Sequence, residues 1–103
     1  MAQVVITESA SGDEAAILTD LNATAGLLMA YRFRSLFGSL YARLALHPDS
    51  GSPRPGLGPD IRIGVVSPYI AIYRHVADDD TVTVLRLIHG RRRIGGKLLA
   101  EKS

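Results

Sequence analysis

Two stretches decide the fold of this chain: Pro-Tyr-Ile-Ala-Ile-Tyr-Arg at residues 68–74 and Thr-Val-Thr-Val-Leu-Arg-Leu-Ile at residues 81–88. Both are rich in β-branched and aromatic residues, which favour strands. Ala-Asp-Asp-Asp at residues 77–80 separates them, and Asp side chains favour turns because they hydrogen bond to nearby backbone. The pattern predicts a β-hairpin, whose second strand runs into His-Gly-Arg-Arg-Arg at residues 89–93.

Length and composition predict one globular domain over residues 1–103, because 47% of the residues are hydrophobic and 21% are charged. The absence of cysteine excludes disulfides, thiolate nucleophiles and cysteine-ligated zinc. The three histidines, His47, His75 and His89, fall in different predicted elements without ligand spacing, so we expect neither a metal site nor a cofactor. We find no signal peptide and no apolar run of about 20 residues, and therefore expect a cytoplasmic protein with no membrane contact.

Charge is distributed unevenly along the chain. Residues 1–60 carry four arginines and six acidic residues, whereas residues 61–103 carry six arginines and two lysines against four acidic residues. The second half therefore favours an acidic or nucleic-acid partner, unless the charge is ordinary solvated surface. Residues 91–103 are expected to form a flexible basic tail.

Two helices are predicted after a short N-terminal strand at residues 4–7. Apolar residues recur every three or four positions over residues 14–25, and a longer apolar stripe follows Gly26 until Pro48 ends it. A short joint between two helices predicts an antiparallel helical hairpin. Residues 47–60 hold four prolines and three glycines and are predicted to be a loop without regular structure.

A third strand over residues 61–66 completes an antiparallel meander with the hairpin. We expect Val66 to pair with Tyr69 and Val76 to pair with Thr81. The fold class is then α+β, with the N-terminal strand and the helical hairpin joined to a three- to four-stranded, mainly antiparallel sheet. One face is predicted to be the core under the helices: Ile61, Ile63, Val65, Ile70, Ile72, Leu85 and Leu87.

The opposite face, called the working face below, combines aliphatic residues with two arginines and two tyrosines. Its predicted members are Arg62, Val66, Tyr69, Ala71, Tyr73, Val82, Val84, Arg86 and Ile88. On this register Arg62 lies across from Tyr73, and Arg86 is one diagonal step away. Such a mixed face is too apolar to be plain solvated surface, so either a partner or the chain's own residues 94–99 should cover it.

These elements and motifs resemble the toxins of the ParE/RelE superfamily of type II toxin-antitoxin systems. The resemblance rests on the order helical hairpin, Pro-Gly loop and three strands, with Tyr-Ile-Ala-Ile-Tyr-Arg at residues 69–74. The His-Gly-Arg-Arg at residues 89–92 and the Pro-Arg-Pro at residues 53–55 are more similar to the ParE branch.

The resemblance to ParE implies a non-enzymatic inhibitor of DNA gyrase that a ParD-like antitoxin neutralises in a hetero-oligomer. In such systems the antitoxin's C-terminal segment wraps the toxin and its N-terminal part binds operator DNA, so direct DNA binding by this chain is not expected. The candidate partner-binding residues are Arg62, Tyr69, Tyr73, Arg74, Arg86, His89, Arg91, Arg92 and Arg93.

The RelE branch implies an alternative, which is ribosome-dependent cleavage of messenger RNA. Cleavage of this kind needs cations that stabilise charge on phosphorus and groups that move protons. The candidate catalytic residues would then be Arg62, Tyr73, Arg86 and His89. The working face carries no Glu or Lys, which counts against this alternative.

Overall fold

The structure, a computed structural model, describes residues 1–91. A hairpin of two helices packs on one face of a five-stranded sheet. In chain order the elements are β1 (Gln3–Ile6), α1 (Glu8–Ala25), α2 (Leu27–Leu46), β2 (Ser52–Pro53), β3 (Ile61–Val66), β4 (Tyr69–Val76) and β5 (Thr81–His89). Except for Arg91, the predicted basic tail lies outside the described residues, and so do Arg92 and Arg93.

The sheet has the strand order β1-β5-β4-β3-β2. β1 runs parallel to β5, and all other neighbouring pairs are antiparallel. The predicted α+β class is confirmed, with one or two more strands than expected. The predicted pairs Val66 with Tyr69 and Val76 with Thr81 are both present.

The helices begin and end where backbone chemistry requires it. α1 starts at Glu8, because the hydroxyl of Thr7 accepts a hydrogen bond from the Ala10 amide and caps the helix. Gly26 separates the helices with a φ of 95°, a conformation that costs glycine little. The Tyr41 hydroxyl then donates to Glu14 at 2.6 Å and ties α2 to α1.

The segment 47–60 contains short regular structure, contrary to the prediction of a plain loop. Ser52 and Pro53 pair with β3 at the sheet edge, and Pro55–Leu57 form one turn of 3₁₀ helix. Proline is compatible with an edge position, where no partner strand needs its missing amide hydrogen. The segment is therefore attached to the sheet.

The prediction of which sheet face the helices cover was wrong. The core beneath α1 and α2 contains Ala71, Tyr73, Val82 and Val84, which belong to the predicted working face. Gly64 contributes to this choice, because a Cβ there would lie 3.0 Å from Leu40 Cδ1 of α2. Close approach of the helix therefore requires the face that carries Gly64 and the small Ala71.

A β-bulge at Leu85 also changes the register within β5. Tyr73 pairs with Val84 but Ile72 pairs with Arg86, so Leu85 is the extra residue. The bulge moves Leu87 to the face under the helices and places Ile88 on the other face. Strict alternation along β5 fails at this point.

The face turned away from the helices carries its own apolar cluster. Its buried members are Ile61, Ile63, Ile72 and Ile88, with Leu57, Ile70 and Leu85 packed against them. These are most of the residues that were predicted to lie under the helices. Both faces of the meander are thus apolar, which is the physical reason that alternation along the strands led to the wrong face.

Candidate functional site

Tyr73 is fully buried and closes the 47–60 segment onto the sheet. Its hydroxyl donates to the Pro48 carbonyl oxygen at 2.9 Å and accepts from the Gly51 amide at 2.9 Å. Burial raises the pKa of Tyr73 above its ordinary value. The phenol therefore remains neutral, and both hydrogen bonds of its hydroxyl hold the 47–60 segment.

Arg62 fastens the same segment from β3. Its Nη1 donates to the carbonyl oxygens of Asp49 at 3.0 Å and Gly51 at 2.8 Å, and its Nε lies 3.4 Å from the Asp49 carboxylate. The predicted cross-strand pair of Arg62 and Tyr73 is present in the register. Both side chains donate to carbonyl oxygens of the 47–60 segment, Arg62 to those of Asp49 and Gly51 and Tyr73 to that of Pro48. Arg74 makes a longer contact of 3.5 Å from Nε to the Pro59 carbonyl oxygen.

Arg86 joins β5 to α1 through Asp13. The guanidinium Nε lies 2.7 Å from Asp13 Oδ2 and Nη2 lies 3.2 Å from Oδ1, which is a bidentate pair. The Leu87 amide also donates to Asp13 Oδ2 at 3.0 Å. The side chains of Arg86 and Asp13 are only 12% and 19% exposed, so this pair is largely shielded from water.

Tyr69 and His89 lie together at an open groove, in contrast to the residues above. They are partners across β4 and β5, and their ring centroids are 5.7 Å apart. The groove has a volume of about 370 Å³ and is called the α1–β5 groove below. It is lined by Asp13, Ala16, Ile17, Asp20, Tyr69, Leu87, Ile88 and His89.

Aromatic contacts hold the Tyr69 ring in place. Phe33 of α2 meets it edge to face at a centroid distance of 5.4 Å, and Phe37 lies 5.8 Å away. Burial, followed by the nearby Asp20 carboxylate, raises the pKa of Tyr69 above its ordinary value. Tyr69 is therefore a neutral, fixed aromatic wall of the groove.

His89 is exposed at the end of β5. Its Nδ1 accepts a hydrogen bond from the Arg91 amide at 3.0 Å, so the neutral ring carries its proton on Nε2. The described lining of the groove contains two carboxylates and no Lys or Arg. The groove can thus accept hydrogen bonds and cations, whereas it has no lining cation to stabilise a phosphate.

The contribution of α1 to this groove was not predicted from the sequence. Asp13, Ala16, Ile17 and Asp20 recur at intervals of three and four, which places them on one side of the helix. That periodicity was visible in the sequence. Its meaning depended on knowing that this side of α1 faces the end of β5.

A second cavity and an exposed apolar joint between the helices lie outside the α1–β5 groove. A cavity of about 460 Å³ lies beside the 47–60 segment, but its Arg62, Asp49 and His75 are bonded to one another or to neighbouring backbone and carboxylates. At the joint of the helices, Leu28 is 84% exposed and Tyr31 is 57% exposed. This apolar joint adds no chemically reactive group.

Within residues 1–91, no group of three histidine, cysteine or acidic side chains is arranged to hold a metal ion. In the same part of the chain, neither helix has the length and apolar character needed to span a membrane.

Solved structures with the same fold include a chain of the chromosomal ParDE toxin-antitoxin system from P. aeruginosa. It aligns with a TM-score of 0.71 and 21% identity, over 86% of this chain and 96% of that chain. A chain of the RelBE2 toxin-antitoxin complex from Mycobacterium tuberculosis aligns with a TM-score of 0.54 and 22% identity, over 85% of this chain and 96% of that chain. At these identities the likeness establishes the shared fold.

Family membership follows from the sequence match. No curated protein sequence matches the chain. The family model described as the ParE toxin of the type II toxin-antitoxin system parDE matches residues 4–94, which include both helices, the sheet and the α1–β5 groove. The chain therefore belongs to the ParE toxin family of type II toxin-antitoxin systems.

Proposed function

We propose that this chain acts as a toxin by binding DNA gyrase in the cytoplasm, with no catalytic step of its own, and that a ParD-like antitoxin neutralises it. The observation that carries the non-catalytic proposal is the use of Arg62, Tyr73 and Arg86 within the fold. Arg62 and Tyr73 hold the 47–60 segment, and Arg86 pairs with Asp13. A phosphate that needed these groups would have to displace contacts that maintain the structure.

The antitoxin part of the proposal is supported by the two related structures, because both belong to toxin-antitoxin systems. The α1–β5 groove adds a surface on this chain that is concave, partly apolar and charged, as a protein partner requires. The groove brings together Tyr69 and His89, two of the residues expected to bind a partner.

A second candidate function is messenger-RNA cleavage, favoured by the position of His89 beside Tyr69 at an open groove. An imidazole and a phenol are both groups that can move protons. The described lining lacks a cation for the charge that develops on phosphorus. The ribonuclease proposal is therefore the weaker of the two.

The two functions are separated by assaying the purified chain in gyrase supercoiling and in translation reactions with primer-extension mapping of the message. We expect inhibited supercoiling and intact message. His89→Gln tests the ribonuclease without disturbing the core, and His47→Gln is the matched control because that side chain is also exposed. Message cuts that His89→Gln abolishes and His47→Gln preserves would overturn the gyrase proposal.

The antitoxin proposal is tested by co-expressing the chain with the product of the neighbouring gene. We expect the two proteins to purify as one complex and growth to be restored. A chain that purifies alone and leaves growth unaffected would contradict the proposal.

A further inference from the structure

The α1–β5 groove carries a carboxylate that no cation of the described residues neutralises. Asp20 is exposed at the groove, and among residues 1–91 it has no ion pair. The other lining carboxylate, Asp13, is held by Arg86 and by the Leu87 amide. Asp20 therefore supplies the groove with an available negative charge.

The charge of α1 as a whole has the same sign. The helix contains Glu8, Asp13, Glu14 and Asp20 and no basic residue. Helical charges of one sign create a local potential that favours an oppositely charged ligand.

The remaining lining suits an aliphatic stem and a cationic head. Ala16, Ile17, Leu87 and Ile88 supply apolar wall, and Tyr69 supplies an aromatic ring. Lysine and arginine bury their methylene stems against apolar surface while the charged end reaches a polar partner. A cation near an aromatic ring gains additional electrostatic attraction.

We propose that the α1–β5 groove takes one lysine or arginine side chain of the antitoxin, with its charge at Asp20 and its stem against Ile17 and Tyr69. This inference rests on the proposed antitoxin complex. It assigns to Asp20 a recognition role, and to Tyr69 the role of an aromatic wall. Charge complementarity favours this occupant over an acidic segment, and the single available carboxylate matches one basic side chain.

The test uses the full chain in complex with the purified product of the neighbouring gene, with affinity measured by calorimetry. Asp20→Asn preserves shape and removes the charge, and we expect it to weaken binding about tenfold, as the loss of one interfacial charge pair does. Asp78→Asn is the matched control, because Asp78 is exposed in the turn between β4 and β5 and should leave affinity unchanged.

Two further experiments test whether the Tyr69 hydroxyl contributes to binding and identify the basic side chain of the partner. Tyr69→Phe keeps the aromatic ring and should bind within about twofold of the parent chain, since cation–π attraction does not need the hydroxyl. Each lysine or arginine of the partner is then changed to glutamine. One of these changes should have no additional effect in the Asp20→Asn background, which identifies the bound side chain.

The outcomes distinguish this inference from the function on which it rests. If the parent chain does not bind the neighbouring gene product, the antitoxin proposal and the groove assignment both fail. If the parent chain binds and Asp20→Asn behaves like Asp78→Asn, the groove assignment alone is overturned. Equal losses from every basic residue of the partner, with no coupling to Asp20, would also overturn it.

Discussion

Tyr73 attaches the 47–60 segment through one hydroxyl that acts as both donor and acceptor. Its partners, Pro48 and Gly51, lie more than 20 residues away in the chain. Gly51 has no side chain at the contact, and a Cβ there would collide with the Tyr73 hydroxyl and the Ile63 carbonyl oxygen. At the scale of the residue, the Tyr73 hydroxyl is therefore a buried structural group that holds the 47–60 segment, although Tyr73 was also a candidate catalytic residue.

Tyr73→Phe should destabilise the fold by about 1–3 kcal/mol, because it leaves a loop amide and a carbonyl without their buried partner. Chemical denaturation measures this free energy of unfolding. Tyr31→Phe is the control, since Tyr31 is exposed on α2 and its hydroxyl should contribute little. Equal stability of the two variants would contradict the structural role of Tyr73.

His75 should make stability depend on pH. The Asp80 carboxylate is the main cause that raises its pKa above the ordinary value, burial acts in the opposite direction, and Asp49 adds to the rise. Its Nε2 lies 3.0 Å from Asp80 and its Nδ1 lies 2.8 Å from Asp49, so the protonated ring donates to both. The folded state therefore binds the proton more tightly than the unfolded state.

The corresponding stabilisation is complete below the unfolded pKa of about 6.5 and is lost as the pH rises through the higher folded pKa. The free energy of unfolding, measured by urea titration, should therefore fall as the pH rises above about 6.5. His75→Gln should remove this fall, whereas His47→Gln should retain it. A flat profile in the parent chain would contradict the prediction.

At the scale of the element, the approach of α2 to the sheet determines which face becomes the core. Leu40 of α2 occupies the space that a side chain at position 64 would need. The same helix contains Gly38, where a Cβ would meet nothing within 4 Å. A side chain is therefore sterically restricted at position 64, whereas position 38 has room for one.

Gly64→Ala should destabilise the fold by about 1–3 kcal/mol, because the new methyl group would lie 3.0 Å from Leu40 Cδ1 and the packed Leu40 side chain would have to shift. Gly38→Ala should instead stabilise it by about 0.5–1 kcal/mol, since alanine is a better helix former. Both free energies are measured by denaturation under one set of conditions. The same sign for both changes would contradict the close packing inferred at Gly64.

At the scale of the whole molecule, charge is distributed unevenly between the described residues 1–91 and residues 92–103. Residues 1–91 contain eight arginines and nine acidic residues, whereas residues 92–103 contain four basic residues and one acidic residue. The excess of positive charge therefore resides in the last twelve residues. Residues 1–91 have a formal net charge of −1, and α1 contains only acidic charged residues.

Truncation after Arg91 should change the net charge from +2 to −1 and weaken the salt dependence of binding to the gyrase–DNA complex. Fewer phosphate or carboxylate contacts release fewer counterions. Affinity measured at salt concentrations from about 50 mM to about 200 mM reports this slope. An unchanged slope would show that the basic residues of the tail do not contact the target.

The sequence was sufficient to predict both helices, the N-terminal strand and the three strands of the meander in their order, together with the pairing beside the turns after Val66 and Val76. Local signals suffice there, because Gly26, Pro48 and the Asp-rich turn act on their immediate neighbours. The bulge at Leu85 has no comparable local signal, and it changed the faces of the residues that follow.

The face that the helices cover and the hydrogen-bond partners of the buried polar residues depend on tertiary packing. Alternation places residues on opposite faces, but it cannot choose between two faces that are both apolar. Asp13 lies 73 positions from its partner Arg86, and Pro48 lies 25 positions from its partner Tyr73. No local sequence pattern identifies partners at such separations. The α1–β5 groove exists for the same reason, since only packing brings Asp20 of one helix to Tyr69 and His89 at the end of the sheet.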